Sequence, residues 1–127
     1  MTRYGFTALL WLLMCIVPEM TLAEQYETPK VPVPDTVTMV DLGAHSCIPC
    51  KMMAPILKDL RKEYQGKAAI VFIDLKKHPQ QAKRFKLKTI PTQIFFNRQG
   101  QEVYRHMGFL DKKSIVEKLQ SLGVSKE

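Results

Sequence analysis

Few residues of this chain are of the kinds that build disulfide-stapled or fibrous proteins. Its 127 residues include only three cysteines, eight prolines and six glycines, and aromatic residues make up 9%. Three cysteines are too few for a disulfide scaffold, and the proline and glycine content excludes collagen-like and low-complexity chains. With 46% apolar and 24% charged residues, the chain is too apolar to be disordered and long enough for one compact domain.

The charge balance is basic, with a net charge of +7. Such a balance is typical of proteins that bind nucleic acid, an anionic membrane surface or an acidic protein. Charge alone does not choose among these partners.

The N-terminus has the pattern of a secretory signal. Residues 4–18 carry no charge, Arg3 precedes them and Glu19 follows. This apolar run is shorter than the about 20 residues that a transmembrane helix needs. The small residues of the segment that ends at Ala23 suit cleavage by a signal peptidase after that residue. The sequence therefore predicts a signal peptide over residues 1–23. An uncleaved membrane anchor, or lipidation at Cys15, are the alternatives.

Export would change the cysteine count. Cys15 would leave with the signal, so the mature chain would keep Cys47 and Cys50 in a compartment where disulfides persist. We therefore expect a periplasmic or otherwise extracytoplasmic protein. The net charge would stay the same, because Arg3 and Glu19 leave together.

The mature chain divides into an arm and a domain. Residues 24–36 contain Pro29, Pro32 and Pro34, which favour an extended arm. Residues 37–127 alternate strand and helix patterns. We predict strands over residues 37–44, 68–74, 92–96 and 102–106, and helices from Cys50 to near Gly66, over residues 78–87, and from Asp111 to Gly123.

This order predicts an α/β fold with a mixed sheet of about four to five strands and helices on both faces. The first strand, helix and second strand would form a parallel unit. Cys47 and Cys50 would then lie at the carboxyl end of a strand, on the first turn of a helix, where open α/β sheets place their sites.

Two cysteines separated by Ile48 and Pro49 suit redox chemistry. A helix N-terminus stabilises a thiolate at Cys47, which would attack a partner disulfide, and Cys50 would resolve the mixed disulfide. A c-type haem site is excluded because Lys51, not histidine, follows Cys50. A zinc site completed by histidines and a purely structural disulfide stay open. The candidate zinc ligands are His45, His78 and His106.

The run CIPCKMMAPIL, with Pro55 in the helix, resembles the thioredoxin family. The resemblance extends over residues 37–122 and includes Thr89-Ile90-Pro91-Thr92, Gly100 in a hairpin turn and Gly108 after the last strand. It implies a thioredoxin-like fold with a reduced N-terminal strand and helix, and a thiol–disulfide oxidoreductase that needs no cofactor or metal.

The resemblance also implies roles for individual residues. Pro91 would follow a cis peptide bond and, with Ile90 and Gly108, line the substrate-binding edge, where an extended segment pairs with the backbone of Ile90. Asp41 matches the buried acid that moves the proton of the resolving cysteine. Burial among apolar residues should raise its pKa and suit it to that role.

Departures from the family pattern affect the rim of the site. Ser46 replaces the tryptophan before the first cysteine, and Gly43 replaces another aromatic residue. Ile48-Pro49 carries no charge, so we expect a reductase, of the kind that serves cytochrome c maturation or disulfide repair. Protein dithiols and disulfides would be its substrates and a membrane protein its electron donor. An oxidase or isomerase, or a non-catalytic peptide-binding or chaperone module, is the alternative.

A cationic cluster lies between the second strand and Pro91. We interpret it as a solvated face, and the sharper hypothesis is docking to an acidic protein partner. Nucleic acid is not expected, because the cluster has no interleaved aromatic residues, and we expect a monomer. His45 is interpreted as a surface residue. The cluster consists of Lys76, Lys77, Lys83, Arg84, Lys86 and Lys88.

Overall fold

The computed structural model describes residues 28–126, so the predicted signal peptide over residues 1–23 lies outside the described residues. Within them the chain forms four strands and three helices. In chain order these are β1 (Thr38–Gly43), α1 (Ile48–Glu63), β2 (Ala69–Asp74), α2 (Gln80–Arg84), β3 (Thr92–Phe96), β4 (Glu102–Met107) and α3 (Lys112–Ser121).

The strands form one mixed sheet in the order β2-β1-β3-β4. β1 pairs with β2 in parallel and with β3 antiparallel, and β3 pairs antiparallel with β4. The parallel pair requires the crossover that α1 supplies between β1 and β2. The predicted α/β fold with a mixed sheet is confirmed, at four strands.

Alternation along the strands divides the core into two layers. One layer packs side chains of β1 to β3 against α1 and α3; it includes Met39, Met53, Leu57, Phe95, Ile115 and Leu119. The other layer packs the opposite side chains against the end of α2 and the N-terminal arm; it includes Val31, Val40, Leu42, Ile73, Phe85 and Ile94. Helices therefore cover both faces, as the sequence predicts.

Helix α1 carries the cysteine motif because its sequence gives it a cap and an apolar stripe. Cys47 is the N-cap residue and Pro49 lies in the first turn, where its missing N–H leaves no hydrogen bond unmade. Met53, Leu57 and Leu60 recur at helical spacing and are buried. The helix continues through Pro55 to Glu63.

Helix α2 is shorter than predicted, and this is a correction. The expected helix over residues 78–87 is reduced to Gln80–Arg84. Lys86 has a φ of 51°. This left-handed conformation cannot continue a right-handed helix, so the chain turns away after Phe85, which is buried.

The described part of the N-terminal arm is attached to the domain. Val31 is 2% exposed and belongs to the second core layer. Arg84 Nη2 donates to the carbonyl oxygen of Val31 at 2.6 Å, and Thr28 Oγ1 lies 3.0 Å from His78 Nδ1. The arm thus covers a face of the sheet that α2 alone is too short to cover. Among residues 28–126, no helix has the length and apolar character to cross a membrane.

Candidate active site

The two cysteines lie at the start of α1, beyond the carboxyl end of β1. They form a disulfide with Cα atoms 5.2 Å apart. Cys47 is half-buried, and its Sγ accepts a hydrogen bond from the backbone N–H of Cys50 at 3.3 Å. Cys50 is only 5% exposed. The outer sulfur therefore sits where helix N–H groups stabilise negative charge, while the inner one is shielded by the domain.

Asp41 lies on β1, on the sheet face that α1 covers. Its side chain has no exposed surface, and burial raises the pKa of this carboxyl to about 6, although Gln93 and Arg61 act in the opposite direction. Gly43 follows two residues later on the same face, and a Cβ placed there would lie 3.0 Å from Cys50 Sγ. The strand thus carries a buried carboxyl with a raised pKa two residues before the glycine that lies against Cys50, and Asp41 is buried as the sequence predicts.

Two residues that interact with Asp41 were not predicted from the sequence. Gln93 Nε2 donates to Asp41 Oδ1 at 2.8 Å, and Gln93 is also fully buried. The antiparallel register places these residues opposite each other. Arg61, interpreted from the sequence as part of a polar helix face, donates from Nε to the Ile70 carbonyl oxygen and attracts the Asp41 carboxylate. A single amide in the apolar run of β3 is the one local sign of Gln93, and it does not identify Asp41 as its partner.

The predicted substrate-binding residues come together at the β3 and β4 side of the motif. The peptide bond between Ile90 and Pro91 is cis. Gly108 donates its backbone N–H to the Pro91 carbonyl oxygen at 2.7 Å, and its φ of 95° suits glycine. Within residues 28–126 the backbone of Ile90 forms no hydrogen bond with another segment. This short stretch of backbone is open to pairing with an incoming extended chain.

Four of the five large apolar residues that are exposed among residues 28–126 belong to the segments around the cysteine pair. Ile48 and Met52 lie on the first turns of α1, while Met107 and Phe109 flank Gly108. An exposed apolar patch of this kind marks an interaction surface. It suits a site that receives a protein segment.

The three histidines do not converge. His45 is exposed, with its ring centroid 5.1 Å from that of Phe72 and Nε2 3.5 Å from Asp74 Oδ2. His78 contacts Thr28, and His106 Nε2 lies 3.0 Å from the Phe109 carbonyl oxygen. Across the described part of the chain, no group of three or more histidine, cysteine or acidic side chains is placed to hold a metal ion.

The cationic cluster is split by the fold. Arg84 is engaged with the arm and stacks over Phe85, its guanidinium 4.9 Å from the ring centroid. Lys86 and Lys88 instead line a recess of about 130 Å³ together with Thr92, Arg105 and Met107. Lys86 and Lys88 therefore lie on the Met107 side of the site.

A disulfide at the start of a helix, with a buried acid behind it and a cis-proline edge beside it, defines a thiol–disulfide oxidoreductase of mixed α/β fold. The sequence profile of the thioredoxin family matches residues 18–121. Thioredoxins of two Staphylococcus aureus strains, Mu50 and MW2, are each 41% identical over 83 residues, which span 65% of this chain and 79% of theirs.

Solved structures agree with the sequence comparisons. A crystal structure of chloroplastic thioredoxin z superposes with a TM-score of 0.64 at 26% identity, covering 70% of this chain and 80% of that one. This chain belongs to the thioredoxin family, and the predicted resemblance is confirmed. Its activity is thiol–disulfide exchange.

Proposed function

We propose that this protein is an exported thiol–disulfide reductase in which Cys47 is the nucleophile and Cys50 the resolving cysteine. The observation that carries the proposal is the unequal setting of the two sulfurs. Cys47 Sγ caps the helix at its half-buried outer end, whereas Cys50 is 5% exposed and lies against Gly43, two residues after the buried Asp41 on the same face of β1.

The reaction starts from the reduced protein. The Cys47 thiolate attacks one sulfur of a substrate disulfide, forms a mixed disulfide and releases the other substrate sulfur as a thiolate. Asp41 then accepts the Cys50 proton, and the Cys50 thiolate attacks Cys47 Sγ, which breaks the mixed disulfide. Substrate leaves with two thiols, and the Cys47–Cys50 disulfide of the present structure remains. A protein dithiol must supply two electrons for the next cycle.

The edge formed by Ile90, Pro91 and Gly108 would hold the substrate segment. Pairing with the open backbone of Ile90 would orient the substrate disulfide over Cys47, and the surrounding apolar side chains would cover it. Such pairing is independent of sequence, which suits an enzyme that acts on several protein disulfides.

A reducing rather than an oxidising role rests on the dipeptide between the cysteines. Ile48 and Pro49 carry no charge that would stabilise the Cys47 thiolate further and so make the disulfide a stronger oxidant. Export rests on the signal pattern of residues 1–23. The electron donor of an exported reductase would be a membrane protein with an exposed dithiol, in a pathway such as cytochrome c maturation or disulfide repair.

The reduction potential tests this proposal. The Cys47–Cys50 couple should equilibrate near thioredoxin-like values in dithiothreitol buffers, and a potential as high as about −120 mV would overturn the reductase role. Wild type should reduce insulin, and Cys47→Ser should not. If wild type does not reduce insulin, and Cys47→Ser still protects unfolded chains from aggregation, the chaperone alternative is favoured. Export predicts a mature protein that begins at Glu24, and mass spectrometry of secreted material checks this.

A further inference from the structure

A cavity of about 210 Å³ adjoins Cys50 on the side away from Pro91. Phe72 of β2 forms one wall, whereas Pro91 and Gly108 border β3 and β4, on the other side of β1. The cavity is therefore separate from the edge that would pair with the substrate backbone. Its lining consists of Ala44, His45, Cys50, Lys51, Ala54, Leu57, Arg61 and Phe72.

Gly43 keeps this cavity open. A Cβ at residue 43 would lie 3.0 Å from Cys50 Sγ and 3.5 Å from Phe72 Cε2, so a side chain there would enter the space between them. His45 also lines the cavity; its ring centroid lies 5.1 Å from that of Phe72, and its Nε2 lies 3.5 Å from Asp74 Oδ2. The space is thus bounded by an oriented aromatic ring and a sulfur, which favours apolar and aromatic occupants.

The rim of the cavity is cationic. Lys51 and Arg61 are both exposed, and neither forms an ion pair with another side chain within residues 28–126. Arg61 does attract the carboxyl of Asp41, but Asp41 is fully buried. An occupant that brings a carboxylate to this rim would meet two cations that have no competing surface acid.

We propose that this cavity is a second recognition site for the substrate protein, taking a bulky apolar or aromatic side chain that has an acidic residue beside it. An apolar cavity of about 150 Å³ is known to hold a benzene ring, so a phenyl group fits. His45 and Lys51 flank the motif in sequence, so the mouth lies within reach of residues that neighbour the substrate cysteine. This inference rests on the proposed reductase function for its substrate, but the binding itself does not require turnover.

Binding without turnover gives the first test. Adding 3-phenylpropionate to the oxidised protein should shift the NMR signals of Ala44, Ala54 and Phe72 in a saturable way. The neutral analogue 3-phenylpropanol should bind at least about fivefold more weakly, because it lacks the charge that Lys51 and Arg61 recognise. Equal binding of the two probes, or shifts confined to the Pro91 edge, overturns the proposal whatever the redox activity of the protein.

Substrate preference gives the second test, with dithiothreitol as the reductant. Two disulfide-bridged peptides are compared, one with Phe-Glu and one with Ser-Gln two residues from a cysteine. Wild type should prefer the first by about tenfold in kcat/KM. Ala54→Leu, which fills the cavity from the helix, and the pair Lys51→Gln and Arg61→Gln should bring this ratio below about twofold. Using a ratio cancels any general loss of activity in these variants.

Lys58→Gln together with Lys62→Gln is the matched control, because both lysines are exposed on α1 and neither lines the cavity. This control should keep the preference. A wild-type ratio near one, or an equal fall of the ratio in the control, overturns the second recognition site. Absence of any peptide reduction by wild type would instead remove the reductase function, and the binding test would still decide the cavity.

Discussion

Asp41 shows how one buried side chain links stability to chemistry. Its carboxyl is fully buried on the face of the sheet that α1 covers, and Gln93 donates a hydrogen bond to it. A carboxyl that is protonated more readily than in water can accept and return a proton near neutral pH. The same environment disfavours the ionised carboxylate, so Asp41 lowers the free energy of unfolding by an amount that depends on pH.

Removing this carboxyl should stabilise the oxidised protein at neutral pH. The pKa of Asp41 is about 6 in the folded chain against 3.8 for an ordinary aspartate. Below about pH 4 both states are protonated; as the pH rises to about 6 only the unfolded state ionises freely, and folding stability falls by up to about 3 kcal/mol. Relative to wild type, Asp41→Asn should therefore gain stability over this range. Urea unfolding from pH 4 to pH 8 measures it.

A second variant checks the cause of that pH dependence. The hydrogen bond from Gln93 lowers the pKa of Asp41, so Gln93→Leu should raise this pKa and move the loss of stability to higher pH. A stability difference between Asp41→Asn and wild type that stays constant across this range would contradict the buried titration.

Asp41 could be predicted from the sequence because it is an acid among apolar strand residues and because, six positions before Cys47, it matches the buried acid of the thioredoxin family. Gln93 and Arg61 could not. Gln93 lies 52 residues from Asp41, and they meet only through the strand register, which the pattern of apolar residues does not specify.

At the scale of the helix, Cys47 has a structural role besides its chemistry. Its Sγ accepts from the Cys50 N–H and so caps α1. Serine can provide the same acceptor and alanine cannot. Under reducing conditions Cys47→Ser should therefore be more stable than Cys47→Ala by about 1 kcal/mol in urea unfolding, although both variants lack the disulfide.

Helix α3 offers the matched control. Asp111 caps it through Oδ1, which accepts from the Ser114 N–H at 3.0 Å. Asp111→Ser should likewise be more stable than Asp111→Ala. If the Asp111 pair shows this difference and the Cys47 pair does not, the sulfur is not a cap.

The elements themselves were largely predictable where two signals coincide. β3 was predicted with the observed bounds, since an apolar run there is followed by turn residues, and the last helix was predicted to begin at Asp111, the residue that caps it. The predicted helix over residues 78–87 is longer than the observed α2 because Lys86 adopts a left-handed conformation, which ends the helix. A lysine gives no local sign of such a conformation.

At the scale of the whole molecule, long-range packing is what the sequence left open. Proline spacing predicted an extended arm, but not that Val31 would enter the second core layer. Gly43 was visible as the loss of an aromatic residue, whereas the cavity beside Cys50 depends on Phe72 and α1 coming together around it. The arm covers a face of the sheet that the short helix α2 leaves uncovered, and the cavity is the space that a side chain at residue 43 would enter.

The basic charge of the molecule should act through Lys86 and Lys88. They border the site beside Met107, and Glu102, an acid that interacts with Lys86, is already paired with Arg105 at 2.7 Å. A net positive field is therefore left on this side of the disulfide. Lys86→Glu with Lys88→Glu should slow reduction of a disulfide peptide with acidic flanks by about tenfold at about 20 mM salt.

The salt dependence distinguishes docking from damage to the site. The rates of wild type and the charge-reversed variant should converge above about 0.5 M salt, because screening removes the field but leaves the cysteines unchanged. Lys58→Glu with Lys62→Glu makes the same change in net charge on a part of α1 outside the recess, and should slow the reaction much less. Equal slowing by both pairs would mean that total charge attracts the partner and that Lys86 and Lys88 do not form a docking site.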